Sequence, residues 1–162
     1  MNRRRFLIGL SAISATSLLC SSGLWAADKT LKIEKIIMSD AEWRERLSEE
    51  QFHVLREEGT ERPRSSPLND EKRQGDFICA GCELPLFTSE MKYDSGTGWP
   101  SFFETLPNAI ETKTDFKMIY PRTEYHCARC GGHQGHVFKD GPKPTGLRYC
   151  NNGLALRFVP KV

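Results

Sequence analysis

The sequence has little charge of either sign to spare. Its 23 lysines and arginines stand against 21 aspartates and glutamates, and three of the basic residues are Arg3, Arg4 and Arg5. Without those three, 20 basic residues face 21 acidic ones. A body this close to neutral speaks against a nucleic-acid surface or a polybasic membrane patch. The chain also lacks a βαβ rhythm and any internal repeat, which removes parallel α/β and solenoid architectures. With 162 residues, 38% hydrophobic and 27% charged, it suits one soluble domain with a modest core.

Residues 1–27 read as an export signal rather than as part of the fold. Arg3-Arg4-Arg5 is followed by an uncharged run from Phe6 to Ala27, rich in Leu and Ile but diluted by Ser, Thr and Gly. Small residues at Ala26-Ala27 suit a signal peptidase. The order Arg3-Arg4-Arg5-Phe6-Leu7 resembles a twin-arginine signal; a general secretory signal or an uncleaved anchor are the alternatives. Cys20 lies inside this segment, and Leu19 before it is too large for a lipoprotein motif. The expectation is a mature protein of residues 28–162, periplasmic or secreted and not held at the membrane after cleavage.

Two short helices should open that body. Asp40 is placed to cap the first, which carries Trp43 and Leu47. Ser48-Glu49-Glu50-Gln51 makes a capping box for the second, with Phe52 and Leu55 on one side and Gly59 at its end. Residues 28–38 read as a linker or a first short strand, and 60–76 as an ordered loop. Beyond, the signals turn to β. Ile110, Thr112, Thr114, Phe116, Met118 and Tyr120 alternate with Glu111, Lys113, Asp115 and Lys117, and Leu154, Leu156 and Phe158 with Ala155, Arg157 and Val159. Short pieces are expected around 77–79, 84–87, 122–126 and 136–138. The fold class is therefore mainly β, compact and antiparallel, after two short helices.

Six cysteines is a high count for this length. Cys79-Ala80-Gly81-Cys82 and Cys127-Ala128-Arg129-Cys130-Gly131 form two C-x-x-C hooks. Zinc takes four tetrahedral ligands, and each hook supplies two thiolates from one tight turn. Four thiolates leave no open position, which is the pattern of a structural zinc stapling a small core. A thioredoxin-like dithiol would open a helix in a βαβ unit, and two local disulfides would waste the paired spacing. Folded export would let the zinc be loaded in the reducing cytoplasm.

Cys150 stands apart, amid His133-Gln134-Gly135-His136, Asp140-Gly141 and Arg148-Tyr149-Cys150-Asn151-Asn152. A single thiol near two histidines and an arginine is a candidate nucleophile; a lone buried structural cysteine is the alternative. His133 and His136, three apart on a strand, should face opposite ways, which disfavours a shared metal.

These blocks, with Phe77 to Cys82, Tyr93-Asp94-Ser95-Gly96-Thr97-Gly98-Trp99-Pro100-Ser101-Phe102 and Pro144-Thr145-Gly146, resemble the MsrB methionine sulfoxide reductases over roughly residues 38–160. The resemblance implies two antiparallel sheets, with a zinc staple far from the active site. It implies Cys150 as attacking thiolate, with His133, His136, Asp140, Arg148 and Asn152 around the thiol and the sulfoxide, and Trp99 as the wall for the substrate's terminal methyl. A histidine would protonate the sulfoxide oxygen, Asp140 would orient that histidine, and Arg148 would lower the Cys150 pKa. Methionine then leaves and Cys150 becomes a sulfenic acid. The implied substrate is the R epimer, in oxidised proteins.

Two positions depart from the family's pattern. Many members carry a resolving cysteine where this chain has Thr97. The expected enzyme thus has one working cysteine, served by an external thiol, thioredoxin-like or another periplasmic one; a monomer is the default expectation. Gly153 stands where the family often has Ser, which should leave the loop after Cys150 freer. A non-catalytic zinc module that binds protein partners and an oxidant sensor are the rival readings.

Overall fold

The computed structural model describes residues 33–161. The export signal, Cys20 and the mature boundary at residue 28 lie outside the described residues. Helix α1 (Asp40–Arg46) is capped by Ser39, not Asp40. The Ser39 side chain accepts from Glu42 N, and the Glu42 carboxylate accepts from Ser39 N. Helix α2 (Glu49–Glu57) starts with the expected box of Ser48 and Gln51. Its left-handed cap is Glu58, at φ 56°, one residue before Gly59. Lys113 and Lys117 both pair with the Glu58 carboxylate, which offsets the strain of a side chain there.

Among the described residues, nine strands follow. β1 (Gly75–Cys79), β2 (Pro85–Thr88) and β9 (Leu156–Pro160) form a three-stranded sheet in the order β2-β1-β9. β3 (Lys92–Tyr93), β4 (Ser101–Phe102), β5 (Ile110–Asp115), β6 (Arg122–Cys127), β7 (His133–Phe138) and β8 (Arg148–Asn151) form a six-stranded sheet in the order β3-β4-β8-β7-β6-β5. Every pairing is antiparallel. The sheets meet through aromatic side chains: the Phe87 and Phe102 rings stack at 4.0 Å, and Phe77 and Tyr125 close the cluster. Trp43, Phe52, Val54 and Leu55 add the helices to this core.

Two expected strand segments differ. Of the two readings offered for residues 28–38, the linker holds over the described part: residues 33–39 form no strand, and Ile36 N donates to Arg129 O at 2.8 Å. The period-two run from Ile110 stops at Asp115, whose side chain accepts from Lys117 N at 2.8 Å and turns the chain back towards β6. Alternation beyond that point has no partner strand, so Phe116, Met118 and Tyr120 are exposed. Gly153–Ala155 forms a 3-10 turn, and the last strand begins at Leu156.

The pairing of β7 with β8 is tight. A β-carbon on Gly135 would lie 1.9 Å from the carbonyl oxygen of Cys150. Gly135→Ala must push the two strands apart, and is expected to cost about 3 kcal/mol, at the upper end of overpacking penalties. Urea unfolding checks this; a midpoint equal to the parent's would contradict it.

Candidate functional site

The register of the large sheet puts one row of side chains on one face. Ser101 on β4 opposes Cys150 on β8, Cys150 opposes His136 on β7, His136 opposes Glu124 on β6, and Glu124 opposes Lys113 on β5. Directly opposed antiparallel residues share a face with β-carbons about 5 Å apart. Arg148, Phe138, Arg122 and Asp115 fall on the same face by the period of two, while Phe102, Tyr149 and Tyr125 face the core.

His133 joins this face through a β-bulge. Tyr125 pairs with Gly135 and His126 with His133, so Gln134 is an extra residue on β7. The extra residue reverses the parity of everything before it. The expectation of opposed histidines is therefore corrected: their ring centroids lie 5.5 Å apart. Each is held by a carboxylate. His133 Nδ1 lies 2.8 Å from Glu124 Oε1, and His136 Nε2 lies 2.7 Å from Asp115 Oδ2. Asp140 does not orient a histidine. Its carboxylate takes two bonds from Arg148, at 2.9 and 2.7 Å.

Charge states follow from these contacts. Burial pushes the Cys150 thiol above the ordinary cysteine value; Arg148 and the Thr97 hydroxyl, 4.0 Å away, pull it down without cancelling that. The expected lowering by Arg148 is present, but burial outweighs it. Burial likewise depresses His136, with Asp115 opposing. Burial works to raise Glu124, but bonds from His133 and Lys113 bring it below the ordinary carboxylate range. Asp115 is held low by the Lys117 backbone N–H, then by His136 and Arg122. The site at neutral pH thus pairs a thiol with neutral His136, beside two fixed carboxylates.

A pocket of about 130 Å³ opens on this face. Trp99, Arg122, His136, Phe138, Cys150 and Asn152 line it, together with Thr60 and Gly135. A larger cleft of about 1330 Å³, between α2, the 60–73 loop and β9, includes neither Cys150 nor either paired histidine. Cys150 and His136 open onto the smaller one.

Glu61 fixes the pocket wall, and nothing in its sequence neighbourhood announces that. Its backbone carbonyl accepts from Trp99 Nε1 at 3.2 Å, and its N–H donates to Asn152 Oδ1 at 3.2 Å. Its carboxylate accepts from the N–H groups of Gly153 and Leu154 at 2.7 and 2.9 Å. The loop after Cys150 is accordingly pinned, not freer. A β-carbon on Gly153 would lie 1.9 Å from Ser66 Oγ, so the Ser66 hydroxyl fills that space. Glu124, Asp115, Arg122 and Phe138 are likewise brought in by strand register alone.

The four remaining cysteines gather where β1 and β6 end. Cys79 and Cys130 Sγ are 3.7 Å apart, Cys82 and Cys127 Sγ 3.4 Å, and all four lie within 4.8 Å of one another. A zinc–sulfur bond of about 2.3 Å gives a tetrahedron with edges of roughly 3.8 Å. Donor set and spacing therefore fit a closed structural zinc site held by Cys79, Cys82, Cys127 and Cys130. It shares no residue with the pocket, yet one residue spans the two. Buried Gln134 donates from Nε2 to Cys79 Sγ at 3.5 Å, and its carbonyl accepts from Asn152 N and Nδ2 at 2.8 and 3.1 Å.

Comparison with known proteins matches residues 47–160 to the SelR domain. The chain is 53% identical over 127 residues to the peptide methionine sulfoxide reductase MsrB of Agrobacterium fabrum, covering 78% of this chain and 94% of that protein. It is 52% identical over 124 residues to the MsrB of Thiobacillus denitrificans, covering 76% and 94%. It is 43% identical over 150 residues to the chloroplastic peptide methionine sulfoxide reductase B1 of Arabidopsis thaliana, covering 90% and 74%.

Because burial disfavours the thiolate, iodoacetamide labelling of Cys150 in the zinc-loaded protein should keep accelerating beyond the ordinary cysteine range. Removing the Arg148 charge (Arg148→Met) should move the profile to still higher pH. A rate already level at neutral pH would contradict this.

Proposed function

The chain belongs to the SelR family, whose relatives described above are peptide methionine sulfoxide reductases, and from that premise we propose that it reduces the R epimer of methionine sulfoxide in oxidised proteins outside the cytoplasm. The observation that carries the proposal is the row Cys150–His136–Glu124 opening onto a pocket walled by Trp99. An indole face beside a thiol suits an apolar methylthio end.

Cys150 Sγ attacks the sulfoxide sulfur. The oxygen is a poor leaving group until it is protonated, and a neutral imidazole cannot supply the proton unaided. The thiol supplies it. One of the paired imidazoles takes the Sγ proton and passes it to the oxygen, while Glu124 or Asp115 steadies the transient imidazolium. The attack forms an Sγ–S bond; the oxygen leaves the methionine sulfur and adds to Sγ, and the Sγ–S bond breaks as methionine departs, leaving a Cys150 S–O bond. Methionine gains two electrons, Cys150 loses two, and the proton ends on the sulfenic acid. Arg148, held by Asp140, favours the developing thiolate. Asn152, clamped by Glu61 and Gln134, holds the loop beside Trp99.

The sulfenic acid then meets an external thiol, forming a mixed disulfide and releasing water; a second equivalent frees Cys150. Thr97 beside Cys150 and four cysteines committed to zinc support this route. The N-terminal arginines and uncharged run support twin-arginine export to the periplasm. The four thiolates would hold zinc as a staple, and no chemical step passes through it. A non-catalytic module or a sensor would not call for a family of reductases nor for two carboxylate-held imidazoles beside the thiol.

Separated epimers of N-acetyl-methionine sulfoxide, with dithiothreitol as reductant, test the reading. We expect consumption of the R epimer alone, lost in Cys150→Ser; no turnover by folded, zinc-loaded protein would sink it. A second test restores the missing thiol. Thr97→Cys should yield an intramolecular disulfide with Cys150 after one turnover without reductant, seen by mass spectrometry as a loss of two protons and two electrons. The parent should show none.

A further inference from the structure

Among the described residues, six large hydrophobic side chains are exposed, and four of them fall in one five-residue run. Phe116 is 75% exposed, Met118 50%, Ile119 105% and Tyr120 61%. Scattered apolar residues on a surface need no explanation, but a contiguous cluster marks a contact. This cluster is the tip of the β5–β6 hairpin, and both ends of the tip are built into the active site. Asp115 before it bonds His136, and Arg122 after it lines the Cys150 pocket and pairs with Asp115 at 2.6 Å. The tip is also braced from one side. Lys117 Nζ lies 2.5 Å from the Glu58 carboxylate at the end of α2, which holds the turn while its apolar neighbours stay in solvent.

We propose that residues 116–120 are a docking surface for the polypeptide that flanks the oxidised methionine, an extended unfolded segment carrying apolar side chains. The proposal rests on the reductase reading. At about 130 Å³ the pocket is well below the roughly 300 Å³ at which clefts enclose a small-molecule ligand. It takes one methionine-sized side chain, and the rest of a chain must lie outside, across the mouth. The hairpin tip, joined to the pocket through Asp115 and Arg122, offers apolar surface to it. Oxidised methionines that were buried before unfolding sit among apolar neighbours, which is the chemistry such a surface recognises. Free methionine sulfoxide would reach the pocket without touching it.

The test compares the zinc-loaded protein with a Phe116→Ser/Ile119→Ser/Tyr120→Ser variant on two substrates: N-acetyl-methionine-R-sulfoxide, and a carboxymethylated, permanently unfolded polypeptide oxidised with peroxide. Loss of a few apolar anchors should lower kcat/KM on the polypeptide about tenfold, mostly through KM. Turnover of the small substrate should not change, which also shows that the variant is folded. Unchanged polypeptide kinetics, or equal losses on both substrates, would overturn the docking surface while leaving the reductase standing. Unchanged polypeptide kinetics together with lost vesicle pelleting, or with loss of a dimer, would assign the tip to a membrane or to a second copy. Failure of the unmodified protein on the small substrate would remove the reductase reading and this proposal together.

Discussion

The site depends on how closely β8 lies against β7. Gly135 has no side chain because the Cys150 carbonyl occupies the space, and this contact fixes the register in which Cys150 faces His136. A slip by one residue would turn Cys150 into the core and bring Tyr149 or Asn151 to the pocket. Two devices prevent the slip. Buried Tyr125 donates to Asn151 Oδ1 at 2.6 Å from the core side, and Glu61 grips the loop that follows. Packing on one face thus sets reactivity on the other.

The bulge at Gln134 couples the two cysteine sites. It brings His133 round to His136, and the same residue touches Cys79 and carries Asn152. A structural metal at the four cysteines would thus brace, through Gln134, the strand from which the histidines project. Hydrogen bonds of this kind are individually modest, but leaving Gln134 unpaired in the interior would cost more than each contributes.

The electrostatics are compatible with the proposed attack of a protonated thiol on the sulfoxide. Burial makes a standing thiolate costly, and the same burial keeps His136 neutral. In the proposed reaction, a thiol and an imidazole in this state would hold between them the one proton that the sulfoxide oxygen requires. The carboxylates of Glu124 and Asp115, kept ionised by their own partners, would stabilise the imidazolium only while it exists.

Much of this was legible in the chain. Paired C-x-x-C hooks can scarcely do anything but meet, because thiolate spacing and metal geometry are local facts, and Ser48 to Gln51 carries its own helix start. The long family-like blocks marked Cys150, His133, His136, Arg148, Asn152 and Trp99. The partners were not legible. Asp140 is near the histidines in sequence, yet Arg148 takes it, while Glu124 and Asp115 reach them across strand pairs whose register no local pattern encodes. The facing of His133 needed a bulge, visible only once β6 lies beside β7. The alternation through Tyr120 suggested a longer strand, and only the absence of a neighbour made it an exposed tip. Sequence by itself determined which chemical groups this protein owns and which short segments they sit on. Tertiary structure decided which of them touch, because register, bulges and burial belong to pairs of segments and not to any one of them.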